Sequence, residues 1–342
     1  MANDVRRICV RLFLSHKRFQ KITFRAFSTP SLVEVGKLEK PKDSCDKYEI
    51  GQLFLHKNFG YRGIILYPWQ PTVYESETIK HSKSDKKSST KKTYYYEVLI
   101  DKRDSSSDYI KDRLHTEAVS ILLKMGSKSS NNVIPGVHVI SGSDYVSHDD
   151  VLPYRGTDEQ PIHHDFCNEF LTFQADLSPQ YVPTEIWNTW QSHYHQRLQL
   201  HKVYISATND IRVTVIPFYI GEQKIQGKNT YWWRYFVRLE NLGSETVQLI
   251  YRKWNISSPK SSNLDITHGR GVVGKEPILS PDLPFFQYSS HVHLQTPDGH
   301  MWGTFKMKRL DGSGSEFECN IPMFTLEGMT KKESIEALTI ES

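Results

Sequence analysis

Tyr231-Trp-Trp-Arg-Tyr-Phe-Val-Arg-Leu-Glu240 decides the fold. Tyr231, Trp233, Tyr235, Val237 and Leu239 alternate with Trp232, Arg234, Phe236, Arg238 and Glu240, the period-two pattern of a two-faced strand. The period recurs upstream, where Ile211, Val213 and Val215 alternate with Arg212 and Thr214. It returns downstream in Val247, Leu249 and Tyr251, and in Met301, Phe305 and Met307. Gly, Asn and Pro turns separate these runs, so residues 203–328 read as an antiparallel sandwich of about seven strands.

Two glycine-marked segments lie within this region. Gly269-Arg-Gly-Val-Val-Gly274 matches the dinucleotide fingerprint letter for letter. That fingerprint needs a helix N-terminus facing pyrophosphate, and here Pro277 and flanking strands leave no room for one. Gly269, Gly271 and Gly274 are therefore expected in a loop that needs positive φ or close backbone approach. An anion-binding nest of loop amides is the alternative. The second segment is Gly299-His-Met-Trp-Gly303. Trp232, with Arg270, Glu276, His300 and Trp302 of the two segments, forms the candidate partner surface of this domain, since exposed tryptophans anchor interfaces. Trp232 and Trp233 face opposite ways, so one is expected in the core.

Catalytic signatures are missing from the sequence. There is no Gly-x-Ser-x-Gly, no activated cysteine pattern and no paired carboxylates, so an enzyme is not expected. His291 and His293 share one face of a strand without a third ligand nearby. His163–His164 and His193/His195 point apart on helices and form no ligand set. No metal or cofactor is expected.

Upstream, residues 48–155 form a second β-rich unit. Ile50, Leu53 and Leu55 lie in a first strand, Ile64–Tyr67 in a second, ended by Pro68, and Tyr94–Ile100 in another. Between them, residues 80–92 are low in complexity and rich in lysine, including Lys83, Lys86, Lys87, Lys91 and Lys92. They read as a mobile loop, either simply solvated or making salt-sensitive electrostatic contacts with DNA or an acidic partner. His56, Phe59, Tyr61 and Arg62 form a basic-aromatic hairpin that either stacks on a base or peptide or merely packs. His115–Lys124 reads as a short helix. In 156–202, Ile162, Phe166 and Phe170 predict one helix, and Ile186, Trp190 and Tyr194 another starting at Pro183-Thr184. The two are expected to form a connector between the domains.

The 342 residues carry a net charge of +4, but the first 27 hold seven basic residues and one acid. The remainder is slightly acidic and has no global field to hold nucleic acid. Val5, Ile8, Leu12 and Phe13 recur at roughly helical spacing among arginines, the composition of a mitochondrial transit peptide. A disordered basic tail is the alternative. Arg25-Ala-Phe-Ser28 places cleavage between Phe27 and Ser28. Residues 28–47 read as a linker and 329–342 as a polar tail. No run approaches 18 apolar residues. Cys45, Cys167 and Cys319 lack CxxC spacing and are expected as free thiols.

The C-terminal unit resembles the ApaG module (DUF525), a fibronectin-like sandwich. The resemblance is carried by Tyr231–Tyr235, Glu240-Asn241, Gly269–Gly274, Pro277, Phe286–Ser290 and Gly299–Gly303. Residues 48–155 are similar to the YccV family, hemimethylated-DNA-binding-like barrels. Tyr48–Gly51, His56–Gly63, Tyr96–Asp101 and Asp144–Val146 carry that likeness. The combination implies a mainly β, monomeric, non-enzymatic adaptor of DNA polymerases and their sliding clamp. It also implies a matrix role beside a Clp-type unfoldase and protease, with a nuclear pool and direct DNA binding as further readings.

Overall fold

In the computed structural model the described residues are 7–9, 34–78, 86–115, 118–120, 138–140, 142–157, 160–194, 200–259 and 264–328. Strand (59%) far outweighs helix (10%), which makes the protein mainly β. The N-terminal part holds β1 (Arg7–Cys9), β2 (Glu34–Leu38), β3 (Leu53–His56), β4 (Arg62–Trp69), β5 (Thr72–Thr78), β6 (Lys86–Lys92) and β7 (Tyr95–Ile100). Short strands β8 (Leu114–His115), β9 (Ala118–Ser120) and β10 (His138–Ile140) lead to β11 (Ser143–Ser147) and β12 (Val151–Gly156). A small hairpin, β13 (Leu171–Phe173) and β14 (Tyr181–Pro183), follows. The C-terminal part holds β15 (Lys202–Thr208), β16 (Ile211–Ile225), β17 (Lys228–Asn241), β18 (Val247–Ser257) and β19 (Asp265–Arg270). It ends with β20 (Ile278–Leu279), β21 (Phe285–Leu294), β22 (Asp298–Arg309) and β23 (Glu316–Glu327).

The first sheet runs β1-β2-β12-β3-β4-β7-β11, antiparallel throughout, as a half-barrel whose end strands do not meet. Its central strands are apolar at nearly every position, so both faces are buried. Leu53, Ile64, Leu66 and Leu99 pack against Phe170 and Trp187 on one face. Phe54, Ile65, Val98 and Ile100 pack with Phe59 and Tyr61 on the other.

The sandwich follows the period-two reading. Its first sheet centres on β15-β16-β17-β21, and its second runs β19-β18-β22-β23 with β20 on β18. Trp233, Tyr235, Val237 and Leu239 face Trp254, Phe305, Met307 and Phe324 across the core. Tight two-residue turns set the register. Asn209-Asp210 joins β15 to β16 and Gln226-Gly227 joins β16 to β17, with all four residues at positive φ. Small or polar residues tolerate that conformation best.

Several expectations need correction. The lysine-rich segment is not simply a loop: Lys86–Lys92 is strand β6, in register with β5 from Thr72↔Lys92 to Thr78↔Lys86. Strand β5 in turn pairs parallel with β15, Thr72↔Lys202 through Glu77↔Ala207. Strand β8 also adds parallel to β21. The sandwich therefore has nine strands of its own, more than about seven, and its first sheet is mixed because the N-terminal part lends it three more.

The expected helix at 115–124 is absent where described, since His115 and Ala118–Ser120 are strand. Residues 160–174 contain only the single turn Cys167–Phe170, and Ile162 and Phe170 are buried from otherwise irregular backbone. His163-His164 thus sit outside any helix. The helix Glu185–Tyr194 does form, capped by Thr184, whose Oγ1 accepts the Trp187 N–H at 3.2 Å and donates to the Glu169 carbonyl at 2.8 Å. It buries Trp187 and leaves Ile186 46% exposed, so Ile186 is not on the buried face as expected, while the side chains of Trp190 and Tyr194 lie outside the described residues. Trp187 packs on Phe170 and joins the core of the half-barrel, so the described part of this helix covers that unit. Arg7–Cys9 is a strand paired with β2 where an amphipathic helix was expected. The rest of the transit segment, Lys83 and the tail from 329 lie outside the described residues.

Candidate partner-binding surfaces

The basic-aromatic hairpin is built around one imidazole. His56 Nδ1 accepts the N–H groups of Asn58 (3.1 Å) and Phe59 (3.2 Å), and Gly60 at φ +72° closes the turn. Both bonds require an unprotonated Nδ1, and burial lowers the His56 pKa to about 3, with Asp150 opposing and Arg238 reinforcing the shift. The Phe59 and Tyr61 rings flank the imidazole at 5.0 and 4.8 Å. Tyr61 donates its hydroxyl to Asp144 Oδ2 at 2.8 Å. Arg62 binds Asp104 through Nε and Nη2, both at 2.7 Å, the planar fork matched to a carboxylate. All four side chains are buried, so the set proposed to stack on a base or peptide is internal packing and presents no surface.

Those residues belong to a polar junction between half-barrel and sandwich. Arg238 of β17 reaches Asp150 Oδ2 at 2.8 Å, and its guanidinium lies between the rings of Phe59 and Phe285 at 5.5 and 5.2 Å. Asp150 also accepts from Ser147 Oγ (2.8 Å) and Asn58 Nδ2 (2.5 Å). Burial alone would raise its pKa, but Arg238 and the other donors bring it below the ordinary carboxylate value. Asp144 accepts from Tyr61, from the Tyr145 N–H (2.8 Å) and from Gln287 Nε2 (2.5 Å). Burial outweighs those donors and pushes Asp144 up to about 6. Beside this network is a cavity of about 190 Å³, lined by residues of both domains including Tyr95, Tyr145, Asp150, Phe236, Arg238 and Glu240. Arg212 and Glu240, 3.6 Å apart, and Lys91 with Glu75, 3.5 Å apart, balance its charge.

Sequence reasoning missed Arg238, Asp150 and Gln287 as a unit. A signal existed: the β16–β17 face opposite the sandwich core carries Ile216, Phe218 and Phe236, too apolar to be solvated. Trp69, Val73, Tyr95 and Tyr145 of the N-terminal part cover it.

The glycine-marked hairpin is a turn and no phosphate loop. Val273 and Gly274 both have positive φ, and Val272 and Lys275 exchange backbone hydrogen bonds at 2.8 Å in each direction. The Gly271 N–H bonds the Ile250 carbonyl, so the amides of 271, 272 and 275 are committed and no nest forms from them. Gly269 lies in β19 without positive φ. Arg252 Nη1 donates to the carbonyls of Arg270 and Gly271 and holds the turn from β18. Arg270 and Glu276 pair across the turn at 2.8 Å, with Arg270 79% exposed.

His300 is exposed and Trp302 half-buried on the outer face of β22, with β18 between them and the strand of Arg270. Trp233 is the core member of its pair, donating Nε1–H to the Glu327 carbonyl at 3.0 Å. Trp232 is half-buried on the opposite face of β17, where it stacks on His293 at 4.7 Å, on the other sheet of the sandwich from Trp302. Hence the predicted set divides into an exposed Arg270–Glu276 turn, a His300–Trp302 patch and a separate Trp232–His293 stack. Among the described residues no three His, Cys, Asp or Glu assemble as a metal site. Cys167 and Cys319 are buried free thiols pushed up to about 12 by burial, and Cys45 is exposed.

Comparison with known proteins places two families on these units. The ApaG domain family (DUF525) matches residues 221–309, and the family described as hemimethylated DNA-binding protein YccV like matches 46–174. Polymerase delta-interacting protein 2 of Homo sapiens and that of Mus musculus are each 46% identical over 307 residues, covering 86% of this chain and 80% of theirs. Protein ApaG of Paramagnetospirillum magneticum is 42% identical over 130 residues, which are 38% of this chain and 97% of that protein.

Proposed function

Since the chain belongs to the polymerase delta-interacting protein 2 family, we propose that it is a non-enzymatic adaptor that binds DNA polymerase subunits and their sliding clamp. The single observation behind this reading is the 46% identity over 307 residues, which spans both domains. We place the adaptor in the mitochondrial matrix, after cleavage between Phe27 and Ser28, on the Arg-rich composition of the first segment. Its organisation would be a linker to residue 47, the YccV-like unit to 155, a connector to 202 and the ApaG unit to 328. The mechanism is one of surfaces: the buried junction holds two domains as one rigid platform, and partners meet its exposed strands and turns. The aromatic side chains of the hairpin at 56–62 are buried and not free to stack on a base, which favours protein partners.

The test is crosslinking in isolated mitochondria followed by mass spectrometry of what co-purifies. Polymerase and nucleoid proteins are the expected partners. Enrichment of a Clp-type unfoldase in their place would make the chain a protease adaptor. Intact mass beginning at Ser28 or a few residues later checks the targeting, and retention of residues 1–27 would refute it.

A further inference from the structure

We propose that the cavity at the junction of the two domains is an anchor pocket for one arginine side chain of a protein partner. This inference deepens the adaptor reading and rests on it. On β17, Phe236, Arg238 and Glu240 alternate with the core residues Val237 and Leu239, so they face the half-barrel. With Arg212 of β16 and with Tyr95 and Tyr145 of the half-barrel they line a space of about 190 Å³. Lys91 and Asp149 also line it and are exposed, so it opens to the surface there.

Charge and unmade hydrogen bonds specify the occupant. Three ion pairs line the cavity: Arg238–Asp150 at 2.8 Å, Arg212–Glu240 at 3.6 Å and Lys91–Glu75 at 3.5 Å. Asp149 is the acid left over, so the lining is one positive charge short. Glu240 is 8% exposed, yet among the described residues no donor lies in hydrogen-bond geometry to its carboxylate. Arg212 and Arg238 approach it only to 3.6 and 3.5 Å. A buried carboxylate without donors is costly and calls for a partner. The Tyr95 hydroxyl lies within reach of the Glu240, Asp150 and Asp149 charges. Guanidinium suits this site better than ammonium, because it presents parallel N–H groups to one carboxylate, stacks on aromatic rings and is more weakly hydrated. The Phe236 and Tyr145 rings, 5.3 Å apart, supply aromatic walls. The junction already holds one guanidinium in this way, that of Arg238 between Phe59 and Phe285. Size agrees, since a cavity of about 150 Å³ holds benzene, and arginine beyond its Cβ has as many non-hydrogen atoms. The Arg212 side chain is 38% exposed and can turn outward as the newcomer enters. Arginines buried in such pockets dominate the energy of many interfaces.

The experiment uses the full chain, with its isoleucine methyl groups labelled for NMR, and a short glycine–serine peptide carrying one central arginine. Control peptides carry citrulline, the neutral isostere, or glutamate in its place. The expected result is saturable shifts at Ile205 and Ile216, which line the cavity. The citrulline peptide should bind roughly tenfold more weakly, and Glu240→Gln should weaken the arginine peptide by a similar factor. Asp149→Asn, a change at an exposed position that leaves the fold intact, should weaken it about twofold to fivefold. Equal binding of the citrulline or glutamate peptide overturns the proposal, as does an unchanged affinity in both variants. Absent shifts also overturn it, because the cavity would then hold water only. Free arginine binding more tightly than the peptide does so too, because the occupant would then be a small molecule. Polymerase subunits that co-purify equally with wild type and with the double variant would sink the pocket while sparing the adaptor reading. A peptide that binds as expected to a protein that retains no polymerase would do the reverse.

Discussion

Arg238 Nη1 lies 2.8 Å from Asp150 Oδ2, a buried ion pair that joins the ApaG sandwich to the YccV-like half-barrel. Both side chains are about one-tenth exposed, so neither charge has bulk water as an alternative partner. Removing one member of such a pair leaves the other desolvated and uncompensated. Arg238→Met is accordingly expected to cost about 3–5 kcal/mol, and adding Asp150→Asn should recover part of it. Denaturant titration of the three proteins checks this. A single variant with the wild-type midpoint would show that the pair contributes nothing.

The same junction sets the response to acid. The His56 pKa is depressed to about 3 in the fold from its ordinary 6.5. The unfolded chain therefore takes up a proton that the folded chain refuses, and stability is lost as pH falls from 6.5 towards 3. Asp144 acts in the opposite sense. Its pKa is raised from 3.8 to about 6, so its contribution is full below 3.8 and is lost as pH rises through 6. Between pH 6 and 4 the two partly cancel. His56→Gln should flatten the acid loss, and Asp144→Asn should steepen it below pH 6. Melting temperatures followed by tryptophan fluorescence at pH 7, 5.5 and 4.5 separate these outcomes, and parallel curves for all three proteins would refute the assignment.

The glycines of the turn are not equivalent. Gly271 sits at φ +55°, and a Cβ there would lie 2.1 Å from the Lys275 carbonyl oxygen. At Gly269 a Cβ would meet the Arg252 guanidinium at 3.3 Å, on a backbone of ordinary φ, so a shift of a few tenths of an ångström in that side chain makes room for it. Gly271→Ala should destabilise by about 1–3 kcal/mol or distort the turn, whereas Gly269→Ala should stay near wild type. Equal effects in a thermal melt would mean that the three-glycine spacing matters for some reason other than backbone strain.

What could be read from the sequence follows from how locally each feature is encoded. The strand Lys228–Asn241 declared itself because Tyr231 through Leu239 alternate without interruption, and so did its two-domain setting, through motifs that resemble known families. The placement of β5 and β6 was hidden, because β15, the partner of β5, lies some 130 positions away and Lys86–Lys92 has the composition of a solvated loop. Tertiary pairing overrode that composition. For His56, Tyr61 and Arg62 the sequence left both stacking on a partner and simple packing open, because nothing local shows what satisfies such polar side chains. Asp104, Asp144 and the Asn58 and Phe59 amides, which satisfy them, come from turns and distant strands. Ile162 and Phe170 mimicked a helical stripe while being buried one by one from irregular chain around Trp187.

The cluster shared by the two domains makes a prediction about cooperativity. Phe236 of β17 packs edge-on against Phe218 at 5.5 Å and against Tyr145 of β11 at 5.3 Å, and it is 3% exposed. Val73 and Trp69 complete the same apolar layer from the segment that feeds β5 into the sandwich. Domains joined by small polar contacts move and melt separately, but a continuous apolar core couples them. Wild-type protein is therefore expected to unfold in one calorimetric transition. Phe236→Ala removes ring contacts on both sides of the boundary and should cost about 3–5 kcal/mol. It should also separate the half-barrel and sandwich transitions, since the sandwich keeps its own core of Trp233, Trp254 and Phe324. Two resolved transitions already in the wild type would mean that the junction is too weak to make one platform of the two domains.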